Sequence, residues 1–193
     1  MKQFNIILIF ILVIGFSSCS SSKTVSQNNE PNYLTEEEIP ISECEQMSLE
    51  IIDGKLRAYG TATDMDRDFA RQLSIASARG QMASDIKSLV TNVIDIYRAK
   101  VGVQSNNASE KQTSQHIQTV AENLVSYSTV LKSAIYRVSD GSYRYEVCIG
   151  MVDGAEKVAE DAISKDEQLR VAFNRDKFIQ SYQEGLTRFR AMK

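Results

Sequence analysis

The longest periodic stretch in the chain lies near its middle and constrains the fold more than any other feature. Apolar and small residues recur there every three or four positions, which predicts one long amphipathic helix. Thr63 is expected to cap its N-terminus and Gly102 to end it. Such a helix needs a sheet or further helices against which its apolar side can be buried. The predicted stripe consists of Phe69, Leu73, Ala76, Gly80, Ala83, Ile86, Val90, Val93 and Tyr97.

Two alternating segments on either side of an Asp-Gly pair predict a β-hairpin. Residues 130–138 and 143–152 alternate between apolar and polar side chains, with Asp140-Gly141 between them. Asp-Gly favours a tight hairpin turn because Gly adopts positive φ without steric cost. Residues 55–62 alternate in the same way and predict the first strand.

The hairpin prediction assigns side chains to two faces, because Asp140 and Gly141 are taken as a two-residue loop. The apolar face then pairs Val138 with Tyr143, Tyr136 with Tyr145, Ala134 with Val147 and Val130 with Met151. The polar face pairs Arg137 with Arg144, Ile135 with Glu146 and Ser133 with Cys148. One apolar and one polar face is typical of an antiparallel sheet that helices cover on one side only.

The remaining helical patterns complete a predicted α+β fold. Ile117 to Val125 predicts a shorter helix, and 155–163 another. Residues 164–167 resemble a capping box ahead of an amphipathic C-terminal helix. The expected fold is a small, antiparallel-rich sheet built from a strand, a long helix, a short helix and a hairpin. It packs on helices and is followed by the C-terminal helix, whose predicted core residues are Leu169, Phe173, Ile179, Tyr182, Leu186 and Phe189.

The first 18 residues have a different character from the rest. An apolar run, 6–16, is followed by the small residues Ser17-Ser18 and then by Cys19. A run of about 11 residues fits the core of a secretory signal peptide and is too short to span a bilayer as a helix. The segment before Cys19 resembles a lipobox, although Phe16 stands where the usual pattern has Leu. We therefore expect 1–18 to be a lipoprotein signal peptide and Cys19 to be lipidated; an uncleaved anchor helix is the alternative.

Composition divides the rest of the chain into three parts and excludes one class of partner. Residues 19–45 are expected to form the lipidated cysteine and a flexible tether, since 20–32 are rich in Ser, Asn and Gln. Residues 46–153 are expected to form the α+β domain, and 154–193 a C-terminal helical segment. The formal net charge of −3 gives no basic footprint, so no nucleic-acid partner is expected.

Four of these features together resemble the LPP-twenty family of bacterial lipoproteins. They are Cys19, the strand motif Ala58-Tyr59-Gly60, the helix motif Ala76-Ser77-Ala78-Arg79 and the closing hairpin strand at 143–152. The resemblance implies a small sheet packed on a long helix, similar to the N-terminal domain of a flagellar assembly protein. It carries no catalytic motif with it, so the resemblance does not imply an enzyme.

Candidate catalytic and metal-binding residues each have a simpler interpretation. The acidic stretch Asp64 to Asp68 begins like a calcium loop, but Phe69 and Ile75 occupy the positions that require Gly and Glu. It is interpreted as the acidic start of the long helix. His116 is the single histidine and is expected at the solvated surface. No catalytic residue, metal ligand or cofactor-binding residue is therefore predicted.

Three further groups of residues leave alternatives open. Cys44 and Cys148 are a candidate disulfide, or else two separate buried thiols. Arg137, Arg144 and Glu146 are a candidate interaction face, or else a solvated surface. Four tyrosines predict an aromatic ladder beneath the helices or a stacking platform for a ligand, namely Tyr59, Tyr136, Tyr143 and Tyr145.

The sequence favours one function and keeps a second. The first is a lipid-anchored envelope lipoprotein with a non-catalytic binding or assembly role, partnered by another envelope protein or by a second copy. Its membrane contact would be the covalent lipid, such as palmitate, on Cys19. Ser20 rather than Asp follows Cys19, which favours the outer membrane by similarity to Gram-negative sorting, facing the periplasm. The alternative is a periplasmic lipoprotein that binds a small molecule or a glycan.

Overall fold

The computed structural model describes residues 40–104 and 107–193. The predicted signal peptide, Cys19 and most of the predicted tether lie outside these residues. The described chain is an α+β fold, as predicted, with one three-stranded antiparallel sheet. Its elements are α1 (Glu43–Ser48), β1 (Arg57–Asp64), α2 (Arg67–Val101), α3 (Asn107–Ser126), β2 (Thr129–Arg137), β3 (Tyr143–Gly150), α4 (Ala155–Lys165), α5 (Glu167–Val171) and α6 (Arg175–Met192).

Strand β3 occupies the centre of the sheet, and β1 and β2 flank it as antiparallel neighbours. Helix α2 covers one face, on which Val147 and Ile149 are buried in the core. Helix α1 packs against the other face, near Cys148. The sheet therefore has helices on both faces, whereas the sequence predicted cover on one side.

The hairpin register differs from the prediction by one residue from Arg137 to Lys132, and by two residues beyond the bulge at Leu131, where Val130 pairs with Ile149 rather than Met151. The Val138 amide donates to the Ser142 carbonyl at 2.9 Å, and the Gly141 amide donates to the Val138 carbonyl at 3.0 Å. The loop thus has three residues and ends on Gly141 at φ 89°. This is the common loop in which a turn is followed by a left-handed Gly. Arg137 consequently pairs with Tyr143, and every predicted cross-strand partner in the hairpin is wrong.

The N-terminal half of α2 buries small residues rather than the predicted large ones. Phe69 is 49% and Leu73 is 40% exposed, while Ala70, Ser74 and Ala78 are buried. Helix and strand approach so closely here that a Cβ on Gly60 would lie 2.2 Å from the Ser74 carbonyl oxygen. Only small residues fit such a contact. The buried side of the helix is therefore the side that carries Ala70, Ser74 and Ala78, and not the side that carries the large residues Phe69 and Leu73.

The C-terminal half of α2 and its end agree with the prediction. The predicted residues Ile86, Val90, Val93 and Tyr97 are all buried in the core. Gly102 ends the helix in the left-handed conformation, at φ 73°.

The N-terminal cap of α2 is Asp66 rather than Thr63, because β1 continues to Asp64. The Asp66 carboxylate accepts the amides of Asp68 and Phe69 at 2.8 and 2.9 Å. The acidic stretch is therefore the start of a helix, as interpreted.

The last three helices pack on the same core as the sheet, and all described residues fall in one compact unit. Helix α6 lies along α2, where a Cβ on Gly185 would lie 2.6 Å from Val93 Cγ2. The predicted continuous C-terminal helix is broken between α5 and α6, where Asn174 caps α6. Phe178 is buried there, while the predicted Phe173 and Ile179 are partly exposed.

Candidate functional site

The sheet face beneath α1 holds two of the three residues of the predicted interaction face. Arg144 and Glu146 point to this side from β3, and Arg144 Nε lies 3.4 Å from Glu146 Oε1. Glu146 is 5% exposed, and its Oε2 has no hydrogen-bond partner among the described residues. Arg137 lies on the opposite face because of the register shift, so its inclusion in this face is wrong.

The four tyrosines are divided between the two faces of the sheet. Tyr59 and Tyr136 lie on the α1 side, opposite Cys148 and Arg144, whereas Tyr143 and Tyr145 lie on the α2 side. The Arg144 guanidinium stacks 4.8 Å from the centre of the Tyr136 ring. Neither the predicted aromatic ladder nor the stacking platform exists as one surface.

Cys44 and Cys148 are both buried and both carry free thiols in the structure. They lie close together, since the backbone amide of Cys148 faces the Cys44 sulfur. Burial raises the pKa of the Cys148 thiol to about 11. Burial and the Glu146 carboxylate also raise the pKa of Cys44. The proximity fits the predicted disulfide, but the pairing itself stays a prediction.

His116 joins two helices rather than standing free at the surface. Its ring is partly buried, and Nε2 lies 2.7 Å from the Asp161 carboxylate of α4. Among residues 40–104 and 107–193, no group of three His, Cys, Asp or Glu side chains could hold a metal ion.

A groove of about 710 Å³ lies between α4 and α6. Asp53, Gly54 and Gly154 line one part of it. Gly154 packs close to Gly54, since a Cβ on Gly154 would lie 3.7 Å from the Gly54 carbonyl oxygen. Asp53 and Gly54 both have positive φ, at 52° and 70°. The Lys55 amide donates to the Ile52 carbonyl at 2.9 Å, so residues 52–55 form a tight turn of the kind in which an Asp-Gly pair is common.

Tyr182 of α6 lines this groove although its side chain is only 3% exposed. Its hydroxyl has no hydrogen-bond partner among the described residues and sits beside Gly54, where a Cβ would approach it to 2.8 Å. Burial, followed by the Glu156 carboxylate, raises the pKa of Tyr182. The sequence predicted Tyr182 only as a core residue.

The charged side chains of the groove are unevenly paired. Arg175 contacts the carboxylates of both Glu160 and Glu156, the latter at 3.5 Å. Arg190 donates to the Ile51 carbonyl at 3.5 Å and forms no ion pair within the described part of the chain. The two Asp-Gly pairs, at 53–54 and 153–154, are the only trace of this groove in the sequence.

Strand β2 forms an open edge of the sheet, since no described strand pairs with its outer side. Its large apolar side chains are 40–49% exposed, namely Val130, Leu131, Ile135 and Tyr136. Leu131 also forms a bulge in the pairing with β3. An edge of this kind can accept a further strand.

Comparisons with known proteins identify no relative. No family model, no curated protein and no solved structure matches the chain. The resemblance to the LPP-twenty family therefore stays a prediction. Within the described residues, no helix has the length and apolar character needed to cross a membrane.

Proposed function

We propose that this chain is an envelope lipoprotein, anchored through lipid on Cys19, whose folded part has a non-catalytic binding or assembly role. The anchoring half of the proposal rests on the sequence. An apolar run at 6–16, the small residues Ser17-Ser18 and the thiol of Cys19 follow one another in the order that lipoprotein processing requires. Cys19 would then link the polar stretch 20–32 to the outer membrane, with the folded part facing the periplasm.

The observation that carries the binding role is the open edge at β2. Strand addition to such an edge gives affinity through main-chain hydrogen bonds and specificity through alternate side chains. Val130, Ile135 and Tyr136 offer an apolar surface for the added strand, which another envelope protein or a second copy of this chain would supply. The bulge at Leu131 and the charge of Lys132, which pairs with Glu43 of α1, protect the start of β2, so the segment open to an added strand is 133–137.

Photocrosslinking in intact cells tests this role. A photoreactive amino acid replaces Ile135 on the β2 edge and, as a matched control, Val171 on α5, which is 78% exposed. We expect a discrete adduct from position 135 and none from position 171. Uncrosslinked monomer at both positions, or the same adducts from both, would contradict a docking role for β2. The adduct's mass separates a dimer from a complex with another protein.

The groove between α4 and α6 favours the second candidate function, a small-molecule-binding lipoprotein. Its volume of about 710 Å³ lies in the ordinary range for ligand sites. The predicted tyrosine stacking platform for a ligand gives this second candidate no support, because its tyrosines lie on two faces of the sheet.

A further inference from the structure

Two buried thiols lie at the contact between α1 and the sheet. Cys44 is on α1 and is 2% exposed, while Cys148 is on the central strand β3 and is 0% exposed. Helix α1 packs on both β3 and β1, so it covers the face of the sheet on which Cys148 lies. Both side chains are thiols in the structure, and neither has a role in the binding edge at β2.

The contacts made by neighbouring residues bring the two cysteines together. Cys148 pairs with Tyr59 of β1 on one side and with Lys132 of β2 on the other. The two residues that precede the α1 cysteine contact both of these partners. The Tyr59 hydroxyl lies against the Ser42 side chain, and the Lys132 ammonium pairs with the Glu43 carboxylate. The start of α1 therefore crosses β3 at the level of Cys148, and the α1 sulfur meets the Cys148 backbone amide.

The surroundings of the pair suit a structural bridge better than a reactive or metal-binding thiol. Burial raises the pKa of Cys148 to about 11, and burial together with the Glu146 carboxylate raises the pKa of Cys44. Catalytic and metal-binding cysteines need the thiolate, which such an environment disfavours. Among residues 40–104 and 107–193, no metal-binding group includes these thiols. A thiol of high pKa is a slow leaving group, and a buried bridge is out of reach of external thiols, so a disulfide here would resist reduction.

We propose that Cys44 and Cys148 join in a disulfide that fastens α1 to the centre of the sheet. The two thiols give up two electrons and two protons as the S–S bond forms, and the disulfide of a thiol–disulfide oxidoreductase takes up both and becomes two thiols. The bridge would hold Glu43 beside Lys132 and so keep the start of β2 covered. The proposal rests on the export half of the proposed function, because disulfides persist in oxidising compartments such as the periplasm.

Equilibration in a buffer of oxidised and reduced glutathione tests the pairing. The sample is the full chain in detergent with Cys19→Ala, which leaves Cys44 and Cys148 as its only cysteines. Urea just below the unfolding midpoint lets local opening expose the buried thiols to the buffer. Trypsin digestion without reductant should then yield peptide 24–55 linked to peptide 145–157, lighter than their sum by two hydrogen atoms. The linked pair should separate on reduction.

The bridge should also stabilise the fold, because it closes a loop of about 100 residues and restricts the unfolded chain. Reduction of the linked form should lower its thermal unfolding midpoint by about 5–15 °C. The amides of α1 should exchange with deuterium faster after reduction. Cys148→Ala, made in the same Cys19→Ala background, is the matched control: reductant should change neither its unfolding midpoint nor its exchange.

Three products would overturn the proposal: two free thiols with no linked peptide, a mixed disulfide of either cysteine with glutathione, and a bridge between two chains. A linked form whose unfolding midpoint and α1 exchange are unchanged by reductant would also contradict it. The buffer supplies the oxidant and Cys19 is replaced, so failure of the bridge is distinguishable from failure of export or of lipid attachment.

Discussion

Among the glycines of the described chain, Gly60 has the least room for a side chain. Its missing Cβ would lie 2.2 Å from the Ser74 carbonyl oxygen and 2.5 Å from the Ala78 nitrogen, both of which are backbone atoms that cannot turn aside. We expect Gly60→Ala to destabilise the protein by about 3 kcal/mol or more, at or above the upper end of typical overpacking costs.

Gly80 provides the control for this prediction, because it lies in α2 and a Cβ added to it would meet no atom within 4 Å. Gly80→Ala should stabilise the protein by about 0.5–1 kcal/mol through helix propensity alone. Denaturant unfolding of both variants measures the difference. Equal stability of the two variants would contradict the close contact between α2 and β1.

Replacement by phenylalanine should have opposite effects on stability at two buried tyrosines. The Tyr97 hydroxyl donates to the Ala172 carbonyl at 3.2 Å and accepts the Asn174 amide at 2.8 Å, whereas the Tyr182 hydroxyl has no partner among the described residues. Tyr97→Phe should lower the free energy of unfolding by about 1–3 kcal/mol, because it leaves the Asn174 amide without an acceptor. Tyr182→Phe should raise the free energy of unfolding by about 1 kcal/mol. Thermal unfolding in ligand-free buffer measures both, and destabilisation by Tyr182→Phe would show that its hydroxyl is satisfied.

Among the secondary-structure elements, one buried ion pair connects three helices. Arg98 of α2 donates to Asp166 Oδ2 at 2.9 Å, Thr113 of α3 donates to the same oxygen at 3.3 Å, and Asp166 caps α5. Arg98 and Asp166 are both buried. Such a pair fixes the relative position of the helices rather than adding much net stability.

Removal of the Arg98 side chain should therefore destabilise the fold, because it leaves the Asp166 carboxylate buried without its cation. We expect Arg98→Ala to destabilise by about 3–5 kcal/mol. Asp95, which is mostly exposed and 3.9 Å from Arg98, supplies the control: Asp95→Ala should change stability by less than about 1 kcal/mol. Chemical unfolding of the two variants tests the network, and similar losses would contradict it.

The existence of the elements could be predicted from the sequence more readily than their packing. Periodicity predicted the long helix, and Asp140-Gly141 predicted the hairpin, because both depend on local chemistry. The register could not be predicted, since two- and three-residue loops both use Asp-Gly, and one residue reverses every face. The N-terminal stripe of α2 could not be predicted either, because Gly60 selects small partners only once strand and helix are packed.

Across the described fold, the groove is assembled from segments far apart in sequence. The turn at 53–54, the start of α4 and the length of α6 meet only through packing of the last helices on α2. No local pattern marks Tyr182 or Arg190 as members of one site. The sequence could therefore predict the architecture that holds the groove, but not the groove itself.

The folded part and the proposed anchor can be tested independently of each other. The open β2 edge and the proposed disulfide belong to the folded part, and their tests use variants of the described residues. The anchor belongs to Cys19 and to the run at 6–16 before it. Durable attachment to a membrane requires more than one acyl chain, which lipoprotein processing would supply.

Mass spectrometry of the N-terminal peptide from the membrane-bound protein decides whether the chain is a lipoprotein. We expect the mature chain to begin at Cys19 and this peptide to carry a diacylglycerol on the sulfur, with fatty acyl chains such as palmitate. The Cys19→Ala variant should keep residues 1–18 and carry no lipid. A wild-type chain that keeps residues 1–18, or whose Cys19 has a free thiol, would contradict lipid anchoring.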